Sequence, residues 1–239
     1  MSKSIAVFGA GPGLGQAIAH RYAREGYEVV LVARRREPLE RLAKDLASLG
    51  ATAHVVSADL ADSAAVPALA DQIRALVGRL EAFYYAPTPD ADFVAAAELT
   101  AQRARDYLPL IFYTLLDLVA QFLPDMLQQG NGAILTAQGA GTLRGLPNFS
   151  GPCPAQAAQR NYLQSLQAEV TNKGIYVGML YVGALIEDSA FHTWTTQSGG
   201  GGRDWGPTVS PSHLAGLLWD MHKTRSPAEA SYPEASLSR

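Results

Sequence analysis

The 239-residue chain has a single cysteine, Cys153, so an internal disulfide is impossible and cysteine-based metal spacings are absent. That usage fits a reducing compartment, and a cytoplasmic location is expected. Lysines occur only at positions 3, 44, 173 and 223, and basic residues form no long run. With a net charge of −3, the chain is expected to have neither nucleic acid nor a membrane surface as partner. Its longest apolar stretch, 108–123, is broken by Asp117 and Gln121 and falls short of the ~20 residues that span a bilayer. The apolar run at 5–8 leads straight into glycines with no cleavage-type site, so no signal peptide is expected. Asparagine is missing altogether from 51 to 130. What is present, 48% hydrophobic and 17% charged residues, suffices for one well-filled core.

Short β-branched runs alternate with amphipathic stretches. The pattern predicts strands at 5–8, 28–32, 53–57, 81–85, 133–136 and 175–181. Helices are expected at 15–25, 38–49, 66–77, 98–108 with a long apolar continuation to 126, 155–170 and 211–222. Such alternation implies right-handed crossovers and a doubly wound parallel sheet: a three-layer α/β/α domain spanning 1–225. The polar stretch around 186–210, with its glycine run at 199–202, reads as a mobile substrate loop, and residues 226–239 as a frayed tail.

Gly9, Gly11, Gly13 and Gly15 fall where the first strand turns into the first helix. Glycine there permits a sharp turn and brings backbone N–H groups, at the positive end of a helix, close to a pyrophosphate. The second strand is followed by Arg34, Arg35 and Arg36, with no acid before Glu37. A carboxylate at this point suits the ribose 2′-OH of NAD; guanidinium groups suit the 2′-phosphate, so the expected cofactor is NADP(H). Asp59 either meets the adenine edge or caps the next helix.

These motifs resemble those of the short-chain dehydrogenase/reductase family. The likeness continues through Ala58-Asp59-Leu60, Leu123-Pro124-Asp125-Met126, Gly132-Ala133-Ile134-Leu135, Ser165-Leu166-Gln167-Ala168-Glu169 and Gly174-Ile175-Tyr176-Val177. It implies a Rossmann-type sheet of seven strands, a small-molecule substrate, and a homodimer or homotetramer. The cofactor positions it implies are Gly9, Gly11, Gly13, Leu14, Gly15, Arg34, Arg35, Asp59, Leu60, Ala86 and Gly183. The family's chemistry uses a serine, a tyrosine, a lysine four residues later, and an asparagine that holds a relay water. The lysine matters because a phenol of pKa about 10 needs a neighbouring cation to exchange protons near neutrality.

No tyrosine in this chain is followed four residues later by lysine. Counting back from Glu169 puts Pro152 in the tyrosine's place and Gln156 in the lysine's, with Gly139 or Gln138 in the serine's. The asparagine's place falls near Ile111 or Phe112. After the fourth strand stands Tyr84-Tyr85-Ala86-Pro87, and after the sixth Val182 and Glu187 replace an expected proline and threonine, while Gly183 remains.

Three readings stay open. In an enzyme of altered mechanism, Gln138 or Gln156 hydrogen-bonds a carbonyl and Tyr181 supplies a proton. Thr136, Cys153, Tyr113, Glu187 and His192 are further pocket candidates, and Trp194 and Trp205 either close over a hydrophobic substrate or pack the fold. The second reading is a non-catalytic nucleotide-binding module; the third, a non-redox enzyme performing cyclisation, elimination or isomerisation.

Overall fold

The computed structural model describes residues 3–89, 93–199 and 205–234. Seven parallel strands form one sheet in the order β3-β2-β1-β4-β5-β6-β9. They are β1 (Ser4–Phe8), β2 (Glu28–Ala33), β3 (Ala53–Ser57), β4 (Ala82–Tyr85), β5 (Gly132–Gly139), β6 (Ile175–Val182) and β9 (Glu229–Tyr232). A small second ladder joins β7 (Leu185–Ile186) to β8 (Thr208–Val209).

Alternation along each strand separates two cores. Ile5 and Val7 of β1 point into one, under α1 (Leu14–Arg24), α2 (Arg36–Ser48) and α8 (Pro211–Thr224). Ala6 and Phe8 point into the other, under α3 (Val66–Val77), α5 (Thr114–Gln129) and α6 (Pro152–Val170). Helices on both faces explain why β1 and β6 are buried along their whole length. The chain winds outward from β1 to β3 and then returns to β4 on the other side of β1. That reversal opens a crevice at the C-terminal ends of β1 and β4, where this class of sheet receives ligands.

The helical stretch before β5 is continuous, as expected, but not regular throughout. α4 (Ala101–Leu108) passes through a π-helical turn, Pro109–Tyr113, into α5. Pro109 lacks the N–H a regular helix needs, which accounts for the widened turn. The run from Ala101 to Gln129 is long and apolar enough, by length and composition, to cross a membrane. Here its buried face, Leu115, Leu118, Val119, Phe122 and Met126, is part of the core beneath the sheet.

Two expectations need correction. Residues 229–232, read as part of a frayed tail, form the seventh strand, with Met179 opposite Glu229 and Val182 opposite Tyr232. The strand is held by partners distant in sequence: Glu229 pairs with Arg160 at 2.9 Å and accepts from Gln164 at 2.6 Å. The loop expected at 186–210 contains α7 (Ala190–Ser198), whose N-cap Ser189 accepts from the His192 N–H at 3.0 Å. Of the glycine run only Gly199 falls within the described residues.

Candidate functional site

The turn after β1 is built on glycine for three distinct reasons. Gly9 has φ +94°, donates its N–H to the Val32 carbonyl at 2.9 Å, and lies so close to Ala86 and Pro87 that a Cβ would meet backbone atoms at 3.1–3.2 Å. A Cβ on Gly15 would run into the Gly9 carbonyl oxygen, so only glycine lets α1 start this close to the strand. Gly13, at φ +86°, faces Ser189, whose Cβ would lie 2.9 Å from an added Cβ. Gly11 is open on its side-chain face. The first N–H to return to this loop is that of Gln16, bonded to Gly11 O at 3.0 Å. The amides of Gly13, Leu14 and Gly15 thus have no partner among the described residues and lie at the positive end of α1, a donor set and a Cβ-free cradle that fit a pyrophosphate.

Beyond β2, the four arginines divide into pairs. Arg36 is bound to Glu40 at 2.7 Å and Arg41 to Glu37, both along α2. Arg34 and Arg35 are not buried and form no ion pair among the described residues. These two residues follow the C-terminal end of β2, the strand next to β1, without an ion-pair partner among the described residues. Asp59 settles into a local turn, its Oδ1 accepting from the Ala61 N–H at 3.0 Å, while Leu60 is buried and its carbonyl accepts from Thr114 Oγ1 at 2.8 Å. Ala86 N–H reaches Phe8 O at 3.3 Å, and Gly183 N–H donates to Tyr232 O at 2.7 Å.

A second group converges where β5 ends and α6 begins. Thr142 Oγ1 donates to Gln156 Oε1 at 3.2 Å, and Gly139 passes close enough that a Cβ would lie 3.7 Å from that same oxygen. Gly141 lies against Cys153, whose Sγ would be 3.0 Å from an added Cβ. Burial pushes the Cys153 thiol up to about 11, so it stays protonated near neutrality.

The structure does not bring Tyr181 to this pocket. The phenol is fully buried beneath α6, where Arg160 Nε donates to its oxygen at 3.1 Å and the hydroxyl donates to Glu229 Oε1 at 3.2 Å. Burial and the Glu229 carboxylate push its proton loss far above the ordinary tyrosine range, the opposite of what a proton donor to substrate requires. Gln138 also points beneath α6. Its Nε2 donates to Gln159 Oε1 at 2.5 Å, and Gln159 Nε2 donates to Ile111 O at 2.8 Å, inside the π-helical turn. Sequence reasoning missed Gln159; the available signal was a glutamine one turn beyond Gln156 on the buried side of the helix. The neighbouring Leu110 carbonyl accepts from the Tyr85 hydroxyl. Thr136 is buried, its hydroxyl without a partner among the described residues. Tyr113 lies on the outer face with Phe112 and Tyr162, 43% exposed, while Glu187 is exposed in the turn before α7. Leu163 and Leu166 of α6 belong to the core.

A doubly wound parallel sheet with a glycine cradle at its first βα turn defines a dinucleotide-fold protein of the α/β class. A family model described as short chain dehydrogenase matches residues 3–195, and the chain belongs to that family. It is 29% identical over 237 residues to an uncharacterized oxidoreductase of Mycobacterium tuberculosis, covering 97% of this chain and 67% of that one. It is likewise 29% identical to a fatty acyl-CoA reductase of Acinetobacter baylyi, covering 90% and 71%. Among solved structures, a variant of actinorhodin polyketide ketoreductase with NADPH superposes with a TM-score of 0.88 at 20% identity, covering 100% and 98%. L-sorbose reductase from Gluconobacter frateurii, complexed with NADPH and L-sorbose, gives 0.84 at 22%, covering 96% and 94%.

Proposed function

We propose that this chain is an NADP(H)-dependent oxidoreductase acting on an activated carbonyl, imine or enone. The observation that carries the reading is the pair Arg34 and Arg35, free of carboxylate partners among the described residues, next to a glycine cradle with unpaired amides. The amides of Gly13, Leu14 and Gly15 hold the pyrophosphate, and the two guanidinium groups take the 2′-phosphate through charge-assisted bonds. NADPH, when bound, supplies hydride. NADPH-containing structural neighbours are consistent with this choice.

Substrate recognition falls to Thr142, Gln156 and the Gly139 edge, which offer hydroxyl and amide groups without charge. The pocket's hydroxyl and thiol remain protonated, and no cation stands in the lysine's place to ease a proton out of either. General acid catalysis contributes about 10²–10⁴-fold, so its loss favours substrates already polarised, such as iminium ions and conjugated enones, over plain ketones. Two copies packed along α5 and α6, where Phe112, Tyr113 and Tyr162 cluster on the outside, agree with the dimer or tetramer expected of the family.

One observation favours a second reading, a nucleotide-binding module without turnover. Gln159 and Tyr85 occupy the carbonyls of Ile111 and Leu110, in the turn where the family's relay water is expected. Titration with NADPH and NADH, followed by nucleotide oxidation across ketones, enones and imines, separates the two. Saturable NADPH binding with turnover on activated substrates supports the enzyme. Binding without turnover supports the module, and no binding at millimolar nucleotide sinks both.

A further inference from the structure

Three connections leave the C-terminal ends of the adjacent strands β4, β5 and β6, and each delivers aromatic rings to one cluster. Phe93 follows β4, Phe149 follows β5, and Phe191, Trp194 and Trp205 follow β6. Phe93 and Phe149 make a wall, their ring centroids 5.2 Å apart. Their loops are joined by Val94 N–H to Ser150 O at 2.7 Å and Ser150 N–H to Val94 O at 3.1 Å. Opposite stands a cap, in which Phe191 stacks on Trp194 at 5.5 Å and meets Trp205 edge-on at 4.9 Å. Wall and cap touch through Phe93–Trp205 at 5.3 Å, Phe149–Trp205 at 5.5 Å and Phe93–Phe191 at 6.1 Å.

The cluster is tied to both halves of the candidate site. The Phe149 ring borders Gly141, 3.8 Å from where a Cβ would stand, next to the Thr142–Gln156 pair. Ser189, at the start of the cap helix α7, rests on Gly13 of the glycine turn.

We propose that these five rings form the apolar subsite of the pocket and select substrates whose carbonyl is carried on a ring or hydrocarbon chain. The location follows from the oxidoreductase reading above; the selectivity follows from the rings themselves. A ligand enters this space by parting wall from cap, which breaks the three cross-contacts. An apolar group replaces each with a ring–ligand contact and keeps the rings out of water. A small polar carbonyl compound leaves the parted rings wet and returns nothing. Discrimination thus comes from what the ligand gives back.

The test uses the full chain and a matched pair of probes, 4-phenylbutan-2-one and butan-2-one, titrated with and without NADP+. Binding is read from the change in tryptophan emission, over the background of the distant Trp219, and from the melting shift. The phenyl-bearing ketone is expected to bind at least about tenfold more tightly. In Phe93→Ala and Phe149→Ala that ratio is expected to collapse toward unity with nucleotide affinity unchanged; Phe93→Leu and Phe149→Leu, used if the alanine variants fail to fold, are expected to lower it in part. A wild-type chain that does not distinguish the probes overturns the proposal. So do variants that lower the melting temperature but keep the ratio, the signature of rings that only pack. A chain that takes up no nucleotide yet still separates the pair sinks the cofactor reading and leaves this one standing.

Discussion

Gln138 and Gln159 meet amide to amide, Nε2 to Oε1, across 2.5 Å, and the register of that contact is fixed from one end. The Ile111 carbonyl can only accept, so Gln159 must present Nε2 to it and Oε1 to Gln138. Gln138 must then donate through Nε2, which leaves its Oε1 buried without a partner among the described residues. Replacing Gln159 by leucine strands both the Ile111 carbonyl and the Gln138 N–H. Each orphaned group costs about 1–3 kcal/mol, so Q159L is expected to lose roughly 2–6 kcal/mol in urea unfolding. A loss below about 0.5 kcal/mol would show that the amide chain contributes no net stability.

The glycines of the first turn are expected to differ sharply in tolerance. Gly11→Ala meets nothing within 4 Å and should fold and melt like the parent chain. Gly15→Ala drives a methyl into the Gly9 carbonyl and should cost at least about 2 kcal/mol, as overpacking typically does. Gly13→Ala combines φ +86° with a clash against Ser189, so it should both destabilise the chain and weaken NADPH binding. Melting curves of the three variants check the order, and equal losses at Gly11 and Gly15 would contradict the close-approach argument.

Arg34→Ala is expected to weaken NADPH binding about 10–100-fold, the worth of one hydrogen-bonded charge contact, while NADH binding changes less than about twofold. Arg36→Ala should do neither, because its guanidinium is already held by Glu40. Raising the salt concentration should narrow the NADPH preference more in the parent chain than in R34A, which keeps only Arg35 for the 2′-phosphate. Calorimetry with both nucleotides reads all of these; equal losses for NADPH and NADH in R34A would remove Arg34 from the 2′-phosphate.

The central strands and the glycine turn are legible in the sequence because their signals are local. An unbroken run such as Ile5-Ala6-Val7-Phe8 followed by glycines permits few structures. β9 is not, since Glu229-Ala230-Ser231-Tyr232 has no apolar run and owes its place to Arg160, Gln164 and the edge of β6. Tyr181 reads as a free phenol because its partners, Arg160 and Glu229, are 21 and 48 residues away. Trp194 and Trp205 stand out beside a glycine run, yet Phe93 and Phe149 complete their cluster only through a sheet that places β4 and β5 side by side.

Acid sensitivity is expected from the opposite end of the molecule. His222 of α8 is buried among Tyr22, Tyr27, Tyr176 and Trp219, with the Tyr22 hydroxyl 2.7 Å from Nδ1. A neutral imidazole accepting that proton at Nδ1 fits the site, whereas an imidazolium does not. Burial, reinforced by the positive charges of Arg225 and Lys3, lowers its pKa from 6.5 to about 4. Between those values the unfolded chain holds a proton on His222 that the folded chain refuses. Stability is therefore full above pH 6.5 and falls as pH drops toward 4, by up to about 3 kcal/mol from this one group. Carboxylates held in ion pairs push the same way, so the contribution must be read as a difference. His222→Gln, which keeps a hydrogen-bonding side chain for Tyr22 but cannot take up the proton, should flatten the pH dependence of urea unfolding across this window. An unchanged slope would place the acid sensitivity elsewhere.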